Sequence, residues 1–182
     1  ALSINLEQFK QVLKRTKTSD SLILFFDEEK NKLNVEIVGN TTRTFSLALL
    51  NLDEKKQRMP ELTFPLKVNM ATSLFDEAIE DMSIIGDSLS FEVEKEKFCI
   101  RCSSHMHQAH VEISADETTS IELNSGTIIS KYSLEYLKKM IRSSKLASNV
   151  QIQFNKDYPL RLDYLVKDKM SLTWILAPRA SD

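Results

Sequence analysis

Leu134-Glu135-Tyr136-Leu137-Lys138-Lys139-Met140-Ile141-Arg142 repeats the pattern of Leu6-Glu7-Gln8-Phe9-Lys10-Gln11-Val12-Leu13-Lys14. Both stretches carry apolar residues at helical spacing and basic residues on the opposite side. Around them a unit of about 50 residues recurs, a length typical of structural repeats. Its copies lie near Leu2–Leu50, Phe64–Ser114 and Ile129–Pro178. Each copy reads as a short strand, an amphipathic helix and three more strands. Asp20-Ser21-Leu22 of the first copy returns as Asp87-Ser88-Leu89 in the second.

Within the first copy, Leu6, Phe9, Val12 and Leu13 form the apolar helix stripe, and Asn5 is positioned to cap the helix. Leu22, Leu24 and Phe26 alternate with other residues, as do Leu33, Val35 and Ile37, and then Phe45, Leu47 and Leu49. Period-two alternation predicts half-buried strands. The polar run Asp27–Lys32 reads as a hairpin turn. In the second copy Leu66, Val68 and Met70 predict a strand, and Leu74, Phe75, Ala78, Ile79 and Met82 a helix stripe. Strands follow at Ser88–Glu94, Phe98–Ser103 and Ala109–Ser114. The third copy has Leu134, Leu137, Met140 and Ile141 in its helix, then strands at Val150–Phe154, Leu160–Val166 and Leu172–Leu176. An extra strand, Ser120–Leu123, precedes it.

Asn51–Phe64 differs in character, beginning polar and ending apolar, with Pro60 unable to continue a helix or sit in a central strand. It reads as a connector. The expected division is 1–50, a half-domain; 51–64, the connector; and 65–182, a complete domain in which the second and third copies pair. Such a unit exposes sheet edges and an apolar face, so it needs a second copy. The first copy has no partner in this chain.

Bulk composition narrows the function classes. A net charge of −2 gives no overall attraction to polyanions, so any such contact must come from local patches. There is no apolar run of 18 residues, hence no expected helical membrane span. The chain has three glycines and no glycine-rich phosphate loop. No Gly-x-Ser-x-Gly elbow is present, and no Cys–His pair has an identifiable orienting group, so an enzyme is not expected.

Cys99, Cys102, His105, His107 and His110 suggest a metal site. Cys99 and Cys102 stand three apart on a strand and so face opposite sides. No metal site and no cofactor are expected.

Lys10, Lys14 and Lys17 share one helix face, and Lys138, Arg142 and Lys145 occupy the equivalent positions. One such face is an ordinary solvated surface. Two in register suit a phosphate backbone followed by charge alone. The second helix departs from this with Asp76, Glu77, Glu80 and Asp81. Near the C-terminus, Trp174–Arg179 is either a core strand with a frayed end or one wall of a groove for an extended peptide.

Leu52-Asp53, Met59-Pro60, Ile85-Gly86-Asp87, Ser120-Ile121-Glu122-Leu123, Tyr158-Pro159-Leu160 and Leu176-Ala177-Pro178-Arg179 together resemble the sliding clamps of the archaeal and eukaryotic type, the proliferating cell nuclear antigen family. The resemblance covers the whole chain and implies four such copies in a subunit, so that a fourth copy, the first half of the N-terminal domain, would precede the first copy and Ala1-Leu2-Ser3 would be the remnant of a strand. It implies an α+β DNA-clamp fold of repeated βαβββ units, with antiparallel sheets outside and helices lining a ring of three subunits. It implies a processivity factor that encircles duplex DNA and docks DNA polymerase, ligase, flap nuclease and clamp loader through short peptide motifs.

Carried onto this chain, the DNA-facing residues are Lys10, Lys14, Lys17, Lys138, Arg142 and Lys145. The peptide pocket uses Met59, Pro60, Pro159, Ile175, Ala177 and Pro178, and the subunit interface Phe45, Leu47, Leu49, His110, Val111 and Ile113. The expected location is the archaeal cytoplasm, beside the nucleoid, or a eukaryotic nucleus. The alternatives are a peptide-binding scaffold and a checkpoint-type clamp that does not serve a polymerase.

Overall fold

The computed structural model describes residues 2–50, 61–124 and 126–180. The chain divides into two compact units, with the boundary after Pro60.

The first unit holds α1 (Leu6–Leu13), β1 (Ser21–Asp27), β2 (Lys32–Val38) and β3 (Thr42–Ala48). Asn5 caps α1: its Oδ1 accepts from the backbone N–H groups of Glu7 at 3.0 Å and Gln8 at 3.1 Å. The strands form an antiparallel sheet in the order β1-β2-β3. Asn31, at φ 49, turns β1 into β2, in a conformation that asparagine tolerates better than most residues. The core is small. Val12 from α1 meets Leu33, Val35 and Ile37 from β2, with Ile4, Phe9, Phe45, Leu47 and Leu49 packed around them.

Two expectations are corrected in this unit. Leu6 is 73% exposed and lies outside the apolar stripe, because, six residues before the buried Val12, it stands about 120° away from it around the helix. Leu22, Leu24 and Phe26 do face the same side as Ile37, Val35 and Leu33, their register partners. They nevertheless remain 39–49% exposed, since β1 is an edge strand with a neighbour on one side only.

The second unit contains β4 (Leu66–Ala71), α2 (Thr72–Met82), β5 (Ser88–Glu94), β6 (Lys97–Ser103), β7 (Gln108–Ser114), β8 (Ser120–Leu123) and β9 (Thr127–Ser133). It continues with α3 (Leu134–Met140), a 3₁₀ helix (Ile141–Leu146), β10 (Asn149–Gln153), β11 (Leu160–Val166) and β12 (Met170–Leu176). One sheet runs β12-β11-β10-β4-β8 and the other β7-β6-β5-β9. Each copy therefore lends its first strand to the other copy's sheet: β4 pairs with β10, and β9 with β5.

The two copies share one core. Phe91 of β5 lies at its centre, with ring centroids 6.0 Å from Phe75, 5.3 Å from Phe98, 5.5 Å from Tyr132 and 5.8 Å from Phe154. Those rings come from both copies, which is why neither would bury its face alone. Burial of each large apolar side chain is worth about 1.5–3 kcal/mol. Leu74, expected in the α2 stripe, is exposed; Thr72 is buried in its place and donates its hydroxyl to the carbonyls of Ala147 and Ser148, both at 3.1 Å. That bond ties the start of α2 to the end of the 3₁₀ helix. No helix among the described residues is long and apolar enough to cross a membrane.

Candidate functional site

In the first unit, Lys10 lies on α1 and Lys14 immediately follows it as the C-cap. Lys17 does not extend their helical face. The helix ends at Leu13, and Lys17 lies in the loop beyond, where its backbone N–H donates to Asp20 Oδ2 at 3.1 Å. Asp20 is fixed by Arg43, whose Nη2 approaches the same oxygen to 2.9 Å. The loop is thus held, and all three lysine side chains are exposed.

In the second unit, Lys138 lies on α3, whereas Arg142 and Lys145 lie on the 3₁₀ helix. The sequence pattern did not reveal this change of helix type. At three residues per turn, positions 142 and 145 stack on one side, so the two cations still point together. The 3₁₀ helix is anchored by Trp174, whose indole N–H donates to Ser143 Oγ at 2.9 Å. Lys138 Nζ lies 3.3 Å from Ser83 Oγ at the end of α2. Among the described residues, none of these six cations is in an ion pair, and all six are exposed. Exposed cations without a carboxylate partner leave their charge available to a polyanion.

Helix α2 has the opposite character. Glu77, Glu80 and Asp81 are exposed, and the helix contains no lysine or arginine. Asp76 is half-buried beside them. Burial, and secondarily the charge of Glu80, pushes its carboxyl above the usual range despite a hydrogen bond with Ser144.

Of the expected peptide pocket, Met59 and Pro60 lie outside the described residues. Pro159 precedes Leu160, and Leu160 pairs with Leu176, which precedes Ala177 and Pro178. Pro159, Ala177 and Pro178 thus gather at one end of the β11–β12 hairpin. Ile175, paired with Arg161, belongs to the same end. Ile175, Pro159 and Pro178 are half-buried, and Ala177 is exposed. Phe64 stands edge-on to Tyr158 at 5.7 Å, and Tyr158 accepts from the Tyr132 hydroxyl at 2.8 Å, which steadies the residue before Pro159. The chain leaving Pro178 is pinned. Arg179 donates its backbone N–H to the Lys131 carbonyl at 2.8 Å, and its guanidinium meets Asp87 at 3.2 Å. The Arg179 hydrogen bond holds the Asp87 carboxyl below the usual range.

The expected interface residues lie on two edge strands and their flanks. β3 is an edge of its sheet, and β7 is an edge of its own. Phe45, Leu47 and Leu49 pack on the first core, while Val111 and Ile113 pack in the second. Their side chains are committed inward, so what these strands offer a neighbour is backbone. His110 points to the opposite, exposed face of β7.

Cys99 and Cys102 are separated as expected: Cys102 faces the core and donates to the Ser88 carbonyl at 3.1 Å. His105 and His107 lie in the exposed β6–β7 turn. Sequence reasoning missed that the β6–β7 register sets Cys99 opposite Glu112 and brings both close to His110. The turn between the two strands contained the signal, because its centre fixes which residues face each other.

A family model for the C-terminal domain of proliferating cell nuclear antigen matches residues 58–179. The chain is 32% identical over 182 residues to the DNA polymerase sliding clamp of Thermococcus gammatolerans, covering all of this chain and 73% of that protein. Against the clamp of Thermococcus fumicolans the identity is 33% over 183 residues, with the same shares covered. Among solved structures, the Thermococcus kodakaraensis proliferating cell nuclear antigen superposes with a TM-score of 0.84 at 26% identity, over 96% of this chain and 72% of that one. The Entamoeba histolytica protein shares the fold, with a TM-score of 0.85 at 23% identity, over 98% of this chain and 72% of that one. With its paired βαβββ copies, basic helix segments and pinned C-terminal Leu-Ala-Pro-Arg, the chain belongs to the proliferating cell nuclear antigen family of sliding clamps.

Proposed function

We propose that the chain works as one subunit of a ring that encircles duplex DNA and keeps a DNA polymerase on its template. The observation that carries this reading is the set of exposed cations at Lys10, Lys14, Lys17, Lys138, Arg142 and Lys145, none in an ion pair among the described residues. Encirclement holds DNA by topology, so contacts need only be weak and non-specific. Charge contacts to phosphate meet that need, whereas base readout would create stopping points. The clamp itself catalyses nothing; its contribution is to retain its partners on DNA.

Three subunits would join by pairing edge strand β3 of one with edge strand β7 of the next, closing two edges at each junction. The expected division at 1–50, 51–64 and 65–182 would place a half-domain, a connector and a full domain along this stretch. Polymerase, ligase, flap nuclease and clamp loader would each dock a short peptide against Pro159, Ile175, Ala177 and Pro178, with Met59 and Pro60 of the connector.

The exposed acids of α2 favour a second reading, a clamp that docks partner peptides without serving a polymerase. Charge reversal separates the two. Lys14→Glu combined with Arg142→Glu should lower clamp-stimulated DNA synthesis severalfold, most at low salt, where charge contacts are least screened. Stimulation unchanged by the double variant, with peptide docking intact, would favour the second reading.

A further inference from the structure

The outward face of the β7-β6-β5-β9 sheet carries a row of side chains of which the clamp reading uses only His110, at the expected subunit interface. Cys99 lies opposite Glu112 across the β6–β7 pair, and Arg101 lies opposite His110. His110 and Glu112 are two apart on β7, so they share a face. One ligand atom from each of Cys99, His110 and Glu112 falls within 4.8 Å of the other two. Cys99 is 7% exposed, while His110 and Glu112 are open to solvent. Ligand atoms around a tetrahedral zinc ion stand about 3.5 Å apart, so modest rotamer changes would close the set.

The donor types are selective. A thiolate, an imidazole and a carboxylate suit a borderline-soft ion such as zinc, whereas magnesium and calcium prefer oxygen alone. One competitor stands in the way: Lys97 Nζ contacts Glu112 Oε1 at 2.7 Å. That pair is about half exposed, and exposed pairs are weak. Arg101 is already engaged by Glu92 at 3.0 Å and leaves His110 free to turn.

The geometry points to a zinc-type divalent cation site formed by Cys99 Sγ, a ring nitrogen of His110 and the Glu112 carboxylate, with water as fourth ligand. On binding, the Cys99 thiol gives its proton to solvent and Lys97 swings away from Glu112. The ion fastens edge strand β7 to β6. All three ligands belong to one chain, so the site does not depend on ring assembly or on DNA.

Titration of the 182-residue chain with cobalt(II), followed by zinc displacement, tests this directly. The expected result is one ion per chain and a thiolate-to-cobalt charge-transfer band that zinc abolishes. His110→Ala, a change at an exposed side chain, should weaken binding by more than about tenfold, a scale that even outer-shell changes reach. Cys99→Ser should remove the band, with thermal melting without metal confirming that the variant is folded. Cys102→Ser, on the other face, should leave the band, and Lys97→Ala should tighten binding severalfold. Absence of the band, a band insensitive to His110→Ala, or a band lost with Cys102→Ser would each overturn the proposal.

Discussion

Asp76 shows how the fold treats a single charged residue on the acidic helix. Its Oδ1 is buried with no hydrogen-bond partner among the described residues, and burial raises its pKa. An acid whose folded pKa lies above its unfolded value near 3.9 binds protons more tightly when folded. Its contribution to stability is therefore best below the unfolded value and is lost as pH rises through the folded one. Asp76→Asn should stabilise the second unit at neutral pH and flatten this part of the pH dependence, as read by thermal melting across pH 3–7; an unchanged or lowered midpoint at pH 7 would count against the assignment. From sequence, Asp76 was only one of four acids on α2. Its burial beside Ser144 depends on how the 3₁₀ helix folds over, and no local pattern carries that.

At the scale of elements, β1 separates what alternation can report from what it cannot. The pattern of Leu22, Leu24 and Phe26 correctly assigned the face of each residue, because side chains on a strand alternate whatever surrounds them. It could not report burial, which depends on a neighbouring strand. Ile23 and Phe25, on the other face, are 47% and 45% exposed, so the whole edge is apolar. Such an edge is a template for pairing with another chain. Phe25→Lys should leave the fold intact and reduce self-association in sedimentation velocity; equal association in the variant would show that β1 is not the sticky edge.

Helix signals had a similar limit. Periodicity located α1 and α3, and Asn5 was legible as a cap because capping is local. The ends were not. Lys17 falls beyond α1, and the helix carrying Lys138 tightens into a 3₁₀ turn before Arg142. The tertiary bonds of Asp20 with Arg43 and of Trp174 with Ser143 help set those segments.

For the whole molecule, repetition was the strongest signal, and it predicted that the second and third copies would pair. The way they pair, each giving its first strand to the other's sheet, was not written in any copy alone. Charge layout follows the same division. A chain of net charge −2 carries exposed cations on α1, α3 and the 3₁₀ helix, while α2 holds exposed acids and no lysine or arginine. In the proposed ring, DNA would be attracted to some helices and kept from others, which favours loose sliding over tight binding.

Topology distinguishes such a ring from any surface binder. The most direct measurement is retention on closed circular duplex DNA after loading by a clamp loader, compared with the same DNA cut once. The clamp should stay on the circle at a salt concentration that abolishes direct charge contacts, and run off the linear form. Equal retention on both, or equal loss from both, would contradict encirclement.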